Sequence, residues 1–440
     1  ELRAPRSDAA TRRAQLWALA RFDMAFVFRS PAFFVLLFLG MLNAIGSMWF
    51  TGDWYGSDTY PVTRLMVQAL QNAFSFVQII IAVFYAGELV WRQRERKVHE
   101  IVDATAAPDW AHLVPKIVAI TLVLAATSGV GVLTGMAVQL AKGYTKLEPV
   151  SYLLWFWLPS LISALQLAVL AVFVQVLVPQ KFYGWGLMLL YIVATVALSS
   201  AGFEHLLYNF GSTPPVPLSD MNGMARFWVG QAWLQALWSA FSLVLLALAC
   251  GLWPRGVALA LKPRLRALPR RLRGAAGLLA AGGALAWLGL SAFVFYNTNV
   301  LNTYRPQQAR DAVLAQAERE LLAFESLPVP MITAVTLDVQ LYPREARAQT
   351  TGSYRIENRG TAPIEQLHVN WPERLRLDRF ELSGATLEKQ YAMFPYRIYR
   401  LQPALQPGEV RIVSFAATLE ERGFPNGTPL TRIVENGSFL

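Results

Sequence analysis

Apolar residues along this chain are gathered into long uninterrupted stretches. Stretches free of Asp, Glu, Lys and Arg cover 30–52, 65–87, 117–141, 149–180, 182–203, 227–254 and 274–304. The shortest is 22 residues long, and about 20 helical residues cross a hydrocarbon core. The pattern predicts seven transmembrane helices, near 32–51, 66–88, 117–141, 152–178, 183–202, 227–252 and 275–297. The segment 1–29 before them predicts a helix over 12–29 lying in the membrane interface. There Leu16, Leu19, Phe22 and Phe26 recur at helical spacing among Arg12, Arg13, Arg21 and Asp23.

After residue 304 the pattern changes twice. Residues 305–328 alternate charged and apolar positions as an amphipathic connecting helix does, ending at Pro328 and Pro330. From 329 to 440 the period shortens to two. Val335, Leu337, Val339 and Leu341 fall on one face, with Thr336, Asp338 and Gln340 on the other. Further strands are expected at 350–357, 364–370 and 409–418, separated by the turns Asn358-Arg359-Gly360 and Gln406-Pro407-Gly408. The predicted fold is thus an all-α transmembrane domain over 30–304 followed by an antiparallel all-β domain.

Composition agrees with this division. Of 440 residues, 55% are apolar and only 15% charged, too little charge for a soluble domain of this size. Charge also orients the helices. With the N-terminus in the cytoplasm, the inside segments carry 19 Lys and Arg, and the three outside loops carry 4. This is the asymmetry of the positive-inside rule, and it makes the β domain extracytoplasmic. The formal net charge of +10 resides in those inside segments, so it orients the chain and is no footprint for nucleic acid. Its densest stretch is Arg255, Lys262, Arg264, Arg266, Arg270, Arg271 and Arg273, expected along anionic headgroups. The single cysteine, Cys250, allows no intramolecular disulfide and reads as a small apolar filler. The chain opens on Glu1 and stops after Leu440 within β-like sequence, as a piece of a longer polypeptide would.

Candidate chemistry is sparse. Between the second and third helices, Arg94, Glu95, Lys97 and Glu100 form a short charged helix stopped by Pro108. It reads either as a device that takes force from a soluble partner or as a solvated connector. Two helices carry polar stripes at i, i+3, i+4 spacing: Gln68, Gln71, Asn72, Ser75 and Gln78 on one, and Gln231, Gln235, Ser239 and Ser242 on the other. Amides in lipid need partners, so the stripes make interhelical hydrogen bonds or line a path for substrate. Gly131 and Gly135 predict close helix packing. No charged residue sits mid-helix, and Glu88 lies at a helix end, so proton- or ion-coupled transport has no carrier group here. No G-x-x-x-x-G-K-[ST] occurs, so ATP is not bound by a P-loop of this chain. The four histidines, His99, His112, His205 and His368, contain no pair four apart, so no zinc site is assigned.

Several of these segments resemble a known family. The run from Gly87 through Arg92, Glu95, Glu100, Thr105 and Pro108 to Lys116 resembles the loop by which ABC transporter permeases of the type-2 exporter class contact their ATPase. The stretches Ser212–Gly223 (STPPVPLSDMNG) and Pro328–Arg347 (PVPMITAVTLDVQLYPREAR) are similar to bacterial proteins that fuse such a permease to an aminopeptidase-N-like gluzincin peptidase. Leu405–Val410 and Val434–Leu440 resemble the non-catalytic N-terminal β domain of that peptidase. The resemblance implies a bacterial inner-membrane permease that moves or processes peptides. It also implies an ABC ATPase subunit that binds ATP, and a second permease half or a homodimer partner. Zinc is implied only for a peptidase domain outside this chain, since H-E-x-x-H is absent. Two other readings remain open: an aminopeptidase whose helices only tether it, and a non-catalytic membrane assembly or binding protein.

Overall fold

A computed structural model describes residues 9–51, 59–104, 108–256, 260–429 and 431–438. Thr105, on which part of the charged-loop reading rests, lies outside the described residues, as do Phe439 and Leu440. The chain divides into two compact units.

The first unit, residues 1–199, 206–213 and 231–294, is helical. Helix α1 (Ala9–Phe28) precedes α2 (Pro31–Trp49), whose start is set by Pro31 at its first turn. Helix α3 (Thr63–Glu95), the five-residue α4 (His99–Asp103) and α5 (Asp109–Ala141) follow. Helices α6 (Pro149–Tyr152) and α7 (Leu158–Leu177) are joined through a π-helical turn, Leu153–Trp157. Then come α8 (Lys181–Ser200), α9 (Trp228–Gly251), the short basic α10 (Leu261–Arg271) and α11 (Ala275–Phe295). Among the described residues, seven rods are long and apolar enough to cross a membrane, as the charge-free runs predict. In the apolar windows of α8 and α11 only 11% of residues are buried. Such apolar exposure in water is untenable, so these faces suit lipid or another chain.

Two of the rods outrun the apolar runs that predict them. Helix α3 continues through Glu88, Arg92 and Arg94, and α5 starts at Asp109 and carries Pro115 inside its second turn. The core lies where α3, α5 and α7 meet, with Ile81, Tyr85, Leu89, Leu113, Ile120, Leu124, Ala168 and Val172 nearly or wholly inaccessible. Gly131 and Gly135 permit the approach: a Cβ on either would stand 3.1 Å from the Phe74 ring or the Tyr152 hydroxyl.

The second unit, residues 200–205, 214–230 and 295–440, contains the β domain and the segment with Ser219 and Arg226. Its connecting helix α12 (Gln307–Leu321) is followed by a four-stranded antiparallel sheet in the order β1-β2-β7-β4 and a three-stranded one, β3-β6-β5. The strands are β1 (Met331–Tyr342), β2 (Arg347–Glu357), β3 (Ile364–Asn370), β4 (Leu375–Leu382), β5 (Ala385–Gln390), β6 (Tyr396–Leu405) and β7 (Val410–Glu420). A small hairpin, β8 (Ile433–Val434) with β9 (Gly437–Ser438), comes last. Ile356, Leu382 and Val413 from one sheet pack on Ile364, Leu367, Leu401 and Leu405 from the other. The Phe380 and Tyr399 rings stack across them at 4.6 Å. Arg226 reaches Glu421 at 2.6 Å, and the other Glu421 oxygen accepts from the Thr431 amide at 2.8 Å.

Two histidines of this unit give it a pH dependence. Burial pushes the imidazoles of His205 and His368 below their ordinary value, with Glu388 drawing His368 part of the way back. A base with a depressed folded pKa contributes stability above its unfolded pKa of about 6.5 and loses it as pH falls below that value. Amide protection in β6, compared at pH 7.5 and 5.5 after correction for intrinsic exchange, is expected to weaken at the lower pH. Equal protection at both would refute the assignment.

Candidate functional site

The chemistry-bearing residues of the helical unit collect where α3 ends and α5 begins. Asp23 of α1 is only 3% exposed, as is Lys116 of α5, and Arg92 of α3 is 7% exposed. Asp23 accepts from Arg92 through one oxygen, and its other oxygen lies 3.7 Å from the Lys116 ammonium. The guanidinium of Arg92 also sits over the rings of Phe22 and Phe26, at 4.8 and 5.1 Å. Attraction to these rings offsets part of the desolvation cost of a cation placed there. One carboxylate therefore holds two buried cations, and ties together three segments distant in sequence.

A second polar layer surrounds the first. Lys181, at the start of α8, lies between Glu88 at 2.8 Å and Glu95 at 2.7 Å. Arg94 donates to the carbonyls of Pro254 and Gly256, both at 3.1 Å, and the Gly256 amide donates to Asp103 at 2.9 Å. Arg255 pairs with Asp109 at 2.6 Å. Arg264 is buried and donates to the carbonyls of Val176 at 2.7 Å and Leu252 at 2.8 Å. Arg271 reaches those of Gly251 and Trp253 at 3.3 and 3.1 Å. These carbonyls stand at the ends of α7 and α9 and have no partner within their own helix, so the arginines act as caps where the helix dipole is negative. The dense basic stretch is thus divided. Arg264 is buried against carbonyls and Arg271 reaches two from an exposed position, whereas Lys262, Arg266 and Arg270 are exposed.

The four charged residues expected on one short helix do not share one: Arg94 and Glu95 end α3, Lys97 lies in the turn after it and Glu100 is on α4. Arg94 and Glu95 are engaged within the unit, whereas Lys97 and Glu100 are exposed. Helix α4 has no buried residue. Its Ile101 is 74% exposed and the preceding Val98 39%, an apolar tip that charge-based reading of the loop passes over.

The polar stripes also divide. On α3, Gln78 donates to the Ser128 hydroxyl at 2.5 Å, but Gln71, Asn72 and Ser75 are exposed. Gln71 donates to the Trp155 carbonyl at 3.2 Å and Ser75 to that of Asn72 at 3.3 Å. On α9, Gln166 of α7 donates to the Gln235 carbonyl at 2.9 Å and to the Ser239 hydroxyl at 3.0 Å. Gln235 in turn donates to the Pro159 carbonyl at 3.3 Å, and Gln231 is half-buried. The α9 stripe is therefore spent on helix packing, while the α3 stripe keeps polar groups on an outward face.

In the β unit, Asn222, Arg226, Arg344 and Glu435 line a cleft of about 410 Å³. Among the described residues no three His, Cys, Asp or Glu converge as metal ligands would. No protein-family model matches the sequence and no characterised protein is significantly similar to it, so the site's own geometry carries the functional reading.

Proposed function

We propose that the chain is the permease part of an ATP-driven transporter of the ABC type-2 exporter class, worked by a separate or tethered ATPase and carrying an external aminopeptidase-like domain. On this reading it sits in a bacterial inner membrane with its N-terminus in the cytoplasm. The observation that carries the proposal is α4: a five-residue helix with no buried side chain, held at both ends and presenting Ile101 to solvent. Arg94 and Asp103 fix it to the loop after α9, and Glu95 ties the preceding turn to Lys181. A push on α4 is therefore delivered to α3, α8 and α9 together. The exposed polar side chains of Gln71, Asn72 and Ser75 support a path completed by a second permease half, since a polar face turned to lipid is costly even where single groups bond to nearby carbonyls. Peptides are the substrate class that an aminopeptidase-like domain suggests.

Glu95 is a poor probe of coupling, because reversing its charge also breaks the pair with Lys181. Ile101→Asp and Glu100→Lys touch only the exposed tip. Truncating an interface anchor typically costs about 2 kcal/mol, so Ile101→Asp should lower ATPase recovery from detergent extracts roughly 30-fold. Permease level and thermal unfolding should stay unchanged, surface changes being worth less than about 0.5 kcal/mol. Undiminished ATPase recovery with Ile101→Asp would reduce α4 to a solvated connector.

A further inference from the structure

We infer that α10 is a binding face for anionic phospholipid headgroups, with Lys262, Arg266 and Arg270 as the three cations that hold the phosphates. The inference rests on the membrane reading of the helical unit and not on its being a transporter.

Helix α10 is fixed on one side and free on the other. Arg264 and Arg271 hold it to the carbonyls at the ends of α7 and α9. Leu268 packs on the core, and Gly251 makes room for it: a Cβ there would stand 2.6 Å from the Leu268 side chain. Residues 264, 268 and 271 lie three or four apart and so share one face. Lys262, Arg266 and Arg270 recur every four residues on the opposite face, and all three are exposed. Among the described residues none of the three meets a carboxylate, and no Asp or Glu occurs between Asp220 and Asp311. By contrast, Arg92, Lys116, Lys181 and Arg255 all have carboxylate partners. The stripe does not serve the helix itself. Lys262 stands in the first turn, where the dipole disfavours a cation, and like charges four apart repel. An anion laid along the face relieves both.

The level of α10 decides which anion. Helix α9 has 24 residues and rises about 36 Å, against a hydrocarbon core of about 30 Å. On the membrane reading its last carbonyls therefore stand at the surface, and Arg264 bonds there. Two consecutive spans, α9 and α11, fix this level from both sides of α10. Tyr183, exposed in the first turn of α8 close after the end of α7, stands where interfacial tyrosines do. Leu265 and Pro269 are exposed beside the stripe. A phospholipid supplies what both features lack, phosphate for the arginine fork and an apolar body next to it. An acidic protein surface would match the cations and leave Leu265 against polar groups.

The test unfolds the full chain by heat in a neutral detergent with added dioctanoyl phosphatidylglycerol or dioctanoyl phosphatidylcholine. A ligand that binds only the folded state raises the midpoint, so the anionic lipid should raise it well beyond the zwitterionic one. Lys262→Gln with Arg266→Gln and Arg270→Gln should leave the lipid-free midpoint unchanged. The same variant should need roughly tenfold more phosphatidylglycerol for half the shift. Arg355→Gln with Arg359→Gln and Arg379→Gln, an equal loss of charge at exposed positions of the β domain, should respond as the parent does. Membrane insertion is read separately, in nanodiscs with brominated acyl chains. There a fluorophore on Leu285→Cys, in a Cys250→Ser background, should be quenched, since Leu285 is exposed on α11. An unquenched label would remove the membrane reading and this inference with it. With the label quenched, four results would each overturn the inference alone: equal shifts from the two lipids, an equal shift from sodium phosphate, an equal loss of response in the β-domain variant, or an undiminished response in the α10 variant. The last, joined to loss of a copurifying protein, would give the face to a protein instead.

Discussion

Replacing Asp23 with asparagine is expected to cost the helical unit about 3–5 kcal/mol, the usual penalty for leaving a buried charge without its partner. The effect should lie at the top of that range, because a single carboxylate neutralises both Arg92 and Lys116 and all three side chains are buried. In detergent the midpoint of thermal unfolding should fall by roughly 10 °C, and the yield in membranes should fall with it. The triple variant Asp23→Leu, Arg92→Met, Lys116→Met removes every charge of the cluster. Well-packed apolar replacements of buried ion pairs are often neutral or stabilising, so the triple variant should recover most of the loss. A single variant as stable as the parent would show that Arg92 and Lys116 find water or another anion.

The second large effect is expected at Arg264. Each hydrogen bond from a charged donor contributes about 1.5–3 kcal/mol net, and this guanidinium serves the carbonyls of both Val176 and Leu252. Arg264→Ala should therefore cost about 3 kcal/mol, measured by the same unfolding assay. Arg266→Ala, exposed on the same short helix, should change stability by less than about 0.5 kcal/mol. Arg264→Lys should recover only part of the loss, since an ammonium lacks the further nitrogens with which the guanidinium also reaches the Leu177 and Ala260 carbonyls. Equal effects at 264 and 266 would reduce the caps to incidental contacts.

The helices were legible in the sequence because charge-free length is a signal that tertiary context does not alter. Their ends were less so. The segment Glu88–Glu95 reads as loop by its charges, yet Glu, Leu, Gln and Arg are good helix formers, and Arg92 and Glu88 find partners on other segments. Pro115 sits in the second turn of α5 rather than ahead of the helix, where the lost donor would have served one of the first carbonyls. In the β domain the four predicted strands are those with clear apolar alternation, β1, β2, β3 and β7. The missed strands hide behind charge: β4 interleaves Arg376, Asp378 and Glu381 with its apolar residues, and β6 carries Arg397, Arg400 and Pro403. The buried cluster gave no sequence signal at all. Asp23 and Arg92 lie 69 residues apart, a distance at which spacing carries no information. The exposure of Ile101 was equally hidden, since a lone isoleucine in a charged turn looks like any core residue.

The capping arginines work at two different moments in the protein's life. On the membrane reading, a nascent helix pair is oriented by whichever Lys and Arg flank it while the chain is still being inserted, before α7 and α9 have neighbours. At that moment Arg264 and Arg271 are retention signals, and any cation would serve. Once the bundle assembles, Arg264 is buried and both side chains donate to carbonyls at helix ends. The same two codons thus specify direction first and cohesion afterwards. A lysine at 264 separates these duties: it would be inserted the right way round and then assemble poorly, giving quality-control proteases a correctly oriented but unclosed bundle.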